Sequence, residues 1–181
     1  MSVPVSLLVP CFNAAEFLPR LAEGVCRVQP GFAEMICYDD GSTDNTSEVA
    51  HALGYRVTRV ERNEGVSRAR NRLAQLASCP WIHFHDADDR IHPRFNEDVF
   101  SMLNGGADVA TCDADWIVDP SEVLVRAWRY DRGQLRNNAA QYLLQHPMGL
   151  NSSIIRRELW LEIKGAMNAS RCGRMRMFTC G

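Results

Sequence analysis

Three times in its first 80 residues the chain passes through a short apolar run, a polar loop and a helical pattern, and that alternation confines it to an α/β sheet. The first run, Val3-Pro4-Val5-Ser6-Leu7-Leu8-Val9, is nearly continuous and is closed by Pro10. Such a run suits a parallel strand buried on both faces, and it reads as the central one. Asn13 followed by Glu16 has the spacing of a capping box. Phe17, Leu18, Leu21, Val25 and Val28 then recur on one helical face until Pro30-Gly31. The second unit reads as strand Met35 to Tyr38, loop Asp39-Asp40-Gly41-Ser42 and helix Thr43 to Leu53, closed by Gly54. In the third, Arg56 to Val60 alternates like a strand and Asn63-Glu64-Gly65 turns. Ala69, Leu73, Leu76 and Ala77 mark a helix ending before Pro80. Trp81 to His85 is a fourth strand running into Asp86. Parallel strands joined by right-handed crossovers gather ligands beyond their carboxyl ends, where all of these loops fall.

Further along, a helix is expected over Arg94 to Leu103, broken at Gly105-Gly106. Strands are expected over Asp108 to Asp113 and Val123 to Trp128 around Asp119-Pro120, a helix over Gln134 to Gln145, and a strand over Ser152 to Arg156 leading into a short helix. From about Gly165 the texture changes. No acidic residue follows Glu162, while three of the seven methionines and two of the seven cysteines fall there. The expected organisation is one domain over residues 1–163 and an aberrant or disordered tail over 164–181.

At 181 residues the chain can bury the core of one domain. A formal charge of −2 provides no general field for nucleic acid. No apolar run reaches bilayer length, and Met1-Ser2-Val3-Pro4 does not open a signal peptide. The expected location is cytoplasmic, or at most peripheral to the inner face of a membrane. The seven cysteines include no CxxC pair, so most are expected to be small buried residues in a reducing compartment. Lys164 is the only lysine, a bias toward arginine that points to a gene rich in G and C.

Asp86-Ala87-Asp88-Asp89 carries the strongest chemical signal. Three carboxylates within four residues repel one another unless a cation or water neutralises them. A hard divalent metal would complete its shell there with water and phosphate oxygens. The alternative is a solvated acidic turn capping the next helix. Asp39-Asp40-Gly41-Ser42-Thr43-Asp44 is either a pair of carboxylates that can accept hydrogen bonds from a base edge, or a helix cap. Pro10-Cys11-Phe12-Asn13 sets an aromatic ring just past the first strand, to stack on a base or to staple the next helix. Arg68, Arg70 and Arg72 near a helix start can meet phosphate or form a solvated face, and the solvated face suits Arg72. His83 and His85 share one strand face beside the aspartates, where packed or supporting histidines are the plainer reading and metal ligands the sharper one. Ser42 and Ser67 have no identifiable base, which argues against nucleophilic hydrolysis.

In order and spacing these four motifs resemble the family-2 glycosyltransferases. The likeness extends to Leu150-Asn151-Ser152-Ser153-Ile154-Ile155-Arg156-Arg157-Glu158, which is similar to an acceptor-side segment of that family. The resemblance implies a GT-A fold, Rossmann-like, with a mostly parallel sheet flanked by helices and an incomplete C-terminal part. It also implies inverting transfer of a sugar from a nucleotide donor, commonly UDP-linked, with Mg2+ or Mn2+. By that resemblance Pro10, Phe12, Asp39, Asp40, Arg70, Asp86 and Asp88 form the nucleotide-sugar site. Phe12 and Asp40 would meet the base with Asp39 close by, and Arg70 would lie near the diphosphate. Asp86 and Asp88 form the DxD signature that binds metal, with Asp89 beside them as a further metal candidate.

The same resemblance implies a general base in a Glu-Asp motif shortly after Lys164, and the chain has none there. Instead it continues Lys164-Gly165-Ala166-Met167-Asn168-Ala169-Ser170-Arg171. A frameshift between about Ile163 and Met167 is the expected cause. Codons rich in G and C for Gly173 to Gly181, read two bases later, can spell Glu-Asp-Ala-Asp-Val-His-Leu-Arg, which looks like the missing motif. Codons incompatible with that frame in the encoding DNA would refute it. Asp108, Asp113 and Asp115 are other acids available as a base. Two expectations follow for the chain: an active transferase, or an inactive relic that binds nucleotide only. A phosphatase or nucleotidyltransferase built on the aspartates leaves the other motifs unexplained.

Overall fold

The run expected to be central is strand β1 (Ser2–Cys11), which pairs in parallel with β2 (Gly31–Asp39) on one side and β4 (Trp81–Phe84) on the other. The computed structural model describes residues 2–118, 121–165 and 177–179. Strand β3 (Arg56–Arg59) continues the parallel set beyond β2. Helices α1 (Leu18–Arg27), α2 (Thr46–Ala52) and α3 (Val66–Leu76) make the three crossovers. The expected α/β alternation with parallel strands is therefore present over the whole N-terminal half.

Leu7, Val9, Leu18, Leu21, Ala50 and Val99 lie in one buried cluster, so α1, α2 and α4 (Phe95–Phe100) cover one face of the sheet. Leu8, Ile82, Phe84, Leu73 and Trp160 lie in another, under α3 and α6 (Arg157–Glu162). Leu7 and Leu8 are both completely buried, as a strand sandwiched between two helical layers requires. Each such side chain contributes about 1.5–3 kcal/mol of transfer free energy.

Beyond β4 the sheet departs from a parallel pattern. Strand β8 (Ser153–Arg156) inserts antiparallel between β4 and β5 (Val109–Thr111), and β9 (Met177–Thr179) pairs in parallel with β5. The order is β3-β2-β1-β4-β8-β5-β9. Strands β6 (Ala114–Val118) and β7 (Val123–Trp128) form a separate antiparallel hairpin, held at its far end by an ion pair of 2.7 Å between Glu122 and Arg90. Most of the segment expected to be an aberrant tail, 166–176 and 180–181, lies outside the described residues. Among those described, no helix is long and apolar enough to cross a membrane.

Several boundaries differ from expectation for local reasons. Helix α2 begins at Thr46, because Asp44 turns the chain by accepting from Thr46 N and Oγ1. Asn13 is not a helix cap. It has a left-handed φ of 51°, and its side-chain oxygen accepts from Thr43 N at 2.8 Å, while α1 starts at Leu18 with Pro19 in its first turn. Helix α5 (Arg132–Gln145) is capped by Asp131 and interrupted at Asn138. Of the five described cysteines only Cys11 and Cys37 are buried, with Sγ atoms 3.2 Å apart, and all five are free thiols.

Gly41 has φ +78°, and a Cβ built there falls 2.7 Å from Arg62 C and Asn63 N, both backbone atoms of the neighbouring loop. Gly41→Ala should therefore destabilise the fold by about 2–4 kcal/mol, from left-handed strain and collision together. Urea denaturation measures it, and a loss under ~0.5 kcal/mol would mean the two loops are not packed together.

Candidate functional site

Strands β1, β2 and β4 are parallel, so the loops after Cys11, Asp39 and Phe84 emerge at one edge of the sheet. Backbone bonds lock them there: Asp40 N donates to Cys11 O at 2.8 Å, Val60 N to Asp39 O at 3.0 Å and His85 N to Leu8 O at 3.0 Å. Every residue expected at the nucleotide site lies on this edge or on the start of α3.

Asp39 and Asp40 are both buried, and each carboxylate organises a loop. Asp39 accepts from Ser42 N at 2.9 Å and from Ser47 Oγ, with Arg59 at 3.7 Å. Asp40 accepts from Glu64 N at 3.0 Å on one oxygen and from Gly65 N at 2.8 Å on the other. Asp40 thereby holds the turn that opens α3, the helix carrying Arg70. The first two loops are stitched side by side as well: Asn13 N donates to Ser42 Oγ, and Ala15 N to Asp44. Burial pushes the Asp44 carboxyl up, but the hydrogen bonds from Thr46 and Ala15 outweigh it and hold it below the ordinary carboxylate range. Beside this network Phe12 presents a ring 50% exposed, while Pro10 pairs with Tyr38 inside the sheet.

In the fourth loop the three aspartates have different environments. Asp86 receives Arg70 at 2.7 Å, a pair 16 residues apart in sequence. Asp89 accepts from Asn151 Nδ2 at 2.6 Å. Asp88 is exposed, and no described side chain bonds its carboxylate, although Arg20 donates to its backbone carbonyl at 2.8 Å. No three acidic, histidine or cysteine side chains among the described residues converge as a complete coordinating set. The donor set fits a cation that takes carboxylate from the protein and its other ligands from phosphate and water, as Mg2+ and Mn2+ do.

Asp88 and Asp89 also border a cleft of about 900 Å³ between this loop, the β6–β7 hairpin and the segment around Asn151. Phe12, Asp39, Asp40, Arg70 and Asp86 are not among its lining residues. The aspartate loop therefore separates a loop-built side from an open cleft. Of the acids considered as bases, Asp113 and Asp115 line the cleft and are paired with Arg129 at 3.7 and 2.6 Å, whereas Asp108 is bound by Arg156 outside it. Arg20 carried no signal in the sequence that would place it at the aspartates.

Beneath the loop, His83 is completely buried between Phe32 and Phe95. Burial first, then the neighbouring His85, lowers its pKa from the ordinary 6.5 to about 3. The folded value lies below the unfolded one, so between these pH values the unfolded chain binds a proton that the folded chain refuses. The contribution of His83 is complete above pH 6.5 and drains as pH falls toward 3. Between pH 7 and 4.5 it should amount to about 2–3 kcal/mol, roughly 5–10 °C in the melting midpoint. Melting curves of the native chain and of His83→Leu check it: the variant should show a flatter pH slope, and an unchanged slope would contradict the assignment.

Residues 6–163 match the family described as Glycosyl transferase family 2. The uncharacterized glycosyltransferase YibD of Escherichia coli K12 is 36% identical over 117 residues, covering 62% of this chain and 34% of YibD. A PGL/p-HBAD biosynthesis glycosyltransferase of Mycobacterium bovis BCG is 34% identical over 98 residues, covering 51% of this chain and 38% of the relative. The matched part is thus little more than a third of each relative's length. Among solved structures, S. aureus TarS 1–349 in complex with UDP superimposes with a TM-score of 0.71 at 20% identity, over 90% of this chain and 48% of TarS. Glucosyl-3-phosphoglycerate synthase of Mycobacterium tuberculosis with Mn2+, UDP and glucosyl-3-phosphoglycerate gives 0.60 at 22% identity, over 86% of this chain and 57% of the synthase. These similarities show that the fold is the expected GT-A arrangement.

Proposed function

The chain belongs to glycosyl transferase family 2, and from that premise we propose that it binds a nucleotide-linked sugar, with UDP as the nucleotide, across the edge where β1, β2 and β4 end. The observation that carries the reading is the exposed Asp88 carboxylate, which no described side chain bonds, beside the Arg70–Asp86 pair. One acid is left open to a cation, and one guanidinium is held near where phosphate would sit. The structural neighbours TarS and glucosyl-3-phosphoglycerate synthase bind UDP, the latter with Mn2+, which supports the choice of ligand.

In this reading the exposed Phe12 ring offers a stacking face to the base. Asp39 and Asp40 fix the loops around it, and the free lone pairs of Asp40 remain for a base N–H. Asp88, helped by Asp86 and Asp89, would hold Mg2+ or Mn2+. When bound, the cation neutralises the charge that develops on the departing diphosphate. Transfer with inversion then needs an acceptor hydroxyl deprotonated as it attacks the anomeric carbon. Asp113 and Asp115 are the acids lining the cleft that are free of the proposed metal site, and the Glu-Asp motif expected after Lys164 is absent from the chain. That absence supports a second reading, in which the chain binds donor without transferring sugar.

Release of UDP from UDP-glucose or UDP-N-acetylglucosamine with Mn2+ separates the two. Metal-dependent release supports the transferase, and saturable binding without release supports the second reading. Failure to bind any uridine nucleotide would refute both.

A further inference from the structure

Four arginines border the cleft, and three of them are occupied. Arg129 is paired with Asp113 and Asp115, Arg90 with Glu122 at 2.7 Å, and Arg20 donates to the Asp88 carbonyl. Arg126 is held differently. Its guanidinium carbon stands 4.6 Å from the centre of the Trp128 ring, and its exposed side chain has no hydrogen bond or ion pair among the described residues. A cation held over an indole keeps its place without spending its N–H donors. Those donors remain for a ligand, and their forked arrangement matches the oxygens of a phosphate or carboxylate.

The hairpin keeps this arginine on the cleft. Trp116 of β6 stands opposite Arg126 of β7, and Trp128 lies two residues further along β7, so the three share one face. The ladder skips Val125 between the Trp116–Arg126 and Ile117–Leu124 pairs, a bulge of the kind that twists a strand and re-aims its side chains. Trp128 is anchored by packing against the cluster of Tyr130, Leu135 and Tyr142, whereas Trp116 is 67% exposed. A bare indole beside a cation offers an apolar face and a positive edge to the same ligand. The acids of the cleft do not oppose an anion there. Arg129 neutralises Asp113 and Asp115, and Asp88 and Asp89 belong to the proposed cation site. Phe12, Asp39, Asp40, Arg70 and Asp86, which would hold the nucleotide, lie outside the cleft lining. The hairpin wall is therefore left for the acceptor.

We infer that the acceptor is a sugar carrying an oxyanion, a phosphate or a carboxylate, with Arg126 binding the anion and Trp116 covering the adjacent ring. The inference rests on the nucleotide-sugar reading above and names its acceptor class.

The test is 1H–15N NMR of the whole chain with UDP and Mg2+, read at the amides of Asp86 to Asp89 and at the indole N–H groups of Trp116 and Trp128. UDP and Mg2+ should move the amides. Glucose, glucuronate and glucose 6-phosphate are then titrated separately. Glucuronate, glucose 6-phosphate or both should shift the indoles with an affinity at least about ten-fold above that of glucose, and the tighter of the two tells carboxylate from phosphate. In Arg126→Gln that preference should shrink to under about two-fold while UDP affinity stays unchanged. In Trp116→Ala all three sugars should bind more weakly. Both substitutions alter exposed side chains, and unchanged amide spectra away from the hairpin report that the variants are folded. UDP-glucuronate should bind no more tightly than UDP-glucose. Equal affinity for neutral and anionic sugars would overturn the inference, as would a preference that survives in Arg126→Gln or unchanged affinities in Trp116→Ala. So would an Arg126-dependent gain for UDP-glucuronate, which would put the anion on the donor. A loss of UDP affinity in Arg126→Gln as large as that for the anionic sugars would assign the arginine to the diphosphate and overturn it equally. Unmoved amides of Asp86 to Asp89 would overturn the nucleotide reading, and the acceptor assignment with it. Moved amides with unmoved indoles would overturn the acceptor assignment alone.

Discussion

Asp40→Asn is expected to lower the melting midpoint by roughly 5–10 °C, although it preserves the size and shape of the side chain. Both carboxylate oxygens of Asp40 accept from backbone N–H groups, of Glu64 and of Gly65. An amide can present its oxygen to one of them and must turn its NH2 toward the other, donor against donor. The residue is nearly inaccessible, so water replaces the lost bond poorly. A buried donor left unsatisfied costs about 1–3 kcal/mol. The turn at Gly65 sets the entry of α3, and Arg70 stands on its second turn, so nucleotide affinity should fall along with stability. If Asp40→Asn melted with the native chain, these two bonds would not hold the loop.

Asp88→Ala should do the opposite, abolishing a function while leaving the fold untouched. Its carboxylate is exposed and no described side chain bonds it, so removal should change stability by less than about 0.5 kcal/mol. If Asp88 is the open ligand for the cation, metal-dependent UDP affinity should drop by about 100-fold or more, because no other acid of the loop is equally free. Asp86 is paired with Arg70, and Asp89 with Asn151. Equilibrium binding and thermal melting on the same variant separate the two effects. Retained affinity would move the metal site elsewhere, and a large loss of stability would show that Asp88 is structural.

The parts of this arrangement legible in the sequence were those encoded by local pattern. The run Val3 to Val9 has no polar face, so it had to be a strand covered on both sides. Each Asp-rich loop follows such a strand, which places Asp39, Asp40, Asp86 and Asp88 on one edge. Pairings between distant residues were not legible. Ile154-Ile155 reads equally well as a parallel or an antiparallel strand, and only its place between β4 and β5 decides. Asn13 had the spacing of a helix cap, but the neighbouring loop supplied Thr43 as a nearer donor. The roles of Asp39 and Asp40 as loop organisers depend on N–H groups three residues away in one case and more than twenty in the other. The alternation of His83 and His85 did announce a shared face. That His83 Nδ1 bonds the Ser153 carbonyl was not legible, because Ser153 stands on a strand far along the chain.

The edge formed by β1, β2 and β4 is proposed to bind a uridine diphosphate through a divalent cation. Calorimetric titration of UDP into the native chain with Mn2+, repeated after chelation with EDTA, tests it most directly. Saturable binding is expected with Mn2+ and should weaken at least about ten-fold on chelation, since the three aspartates then face the diphosphate without a neutralising charge. Equal affinity with and without the metal, or no binding in either case, would contradict it.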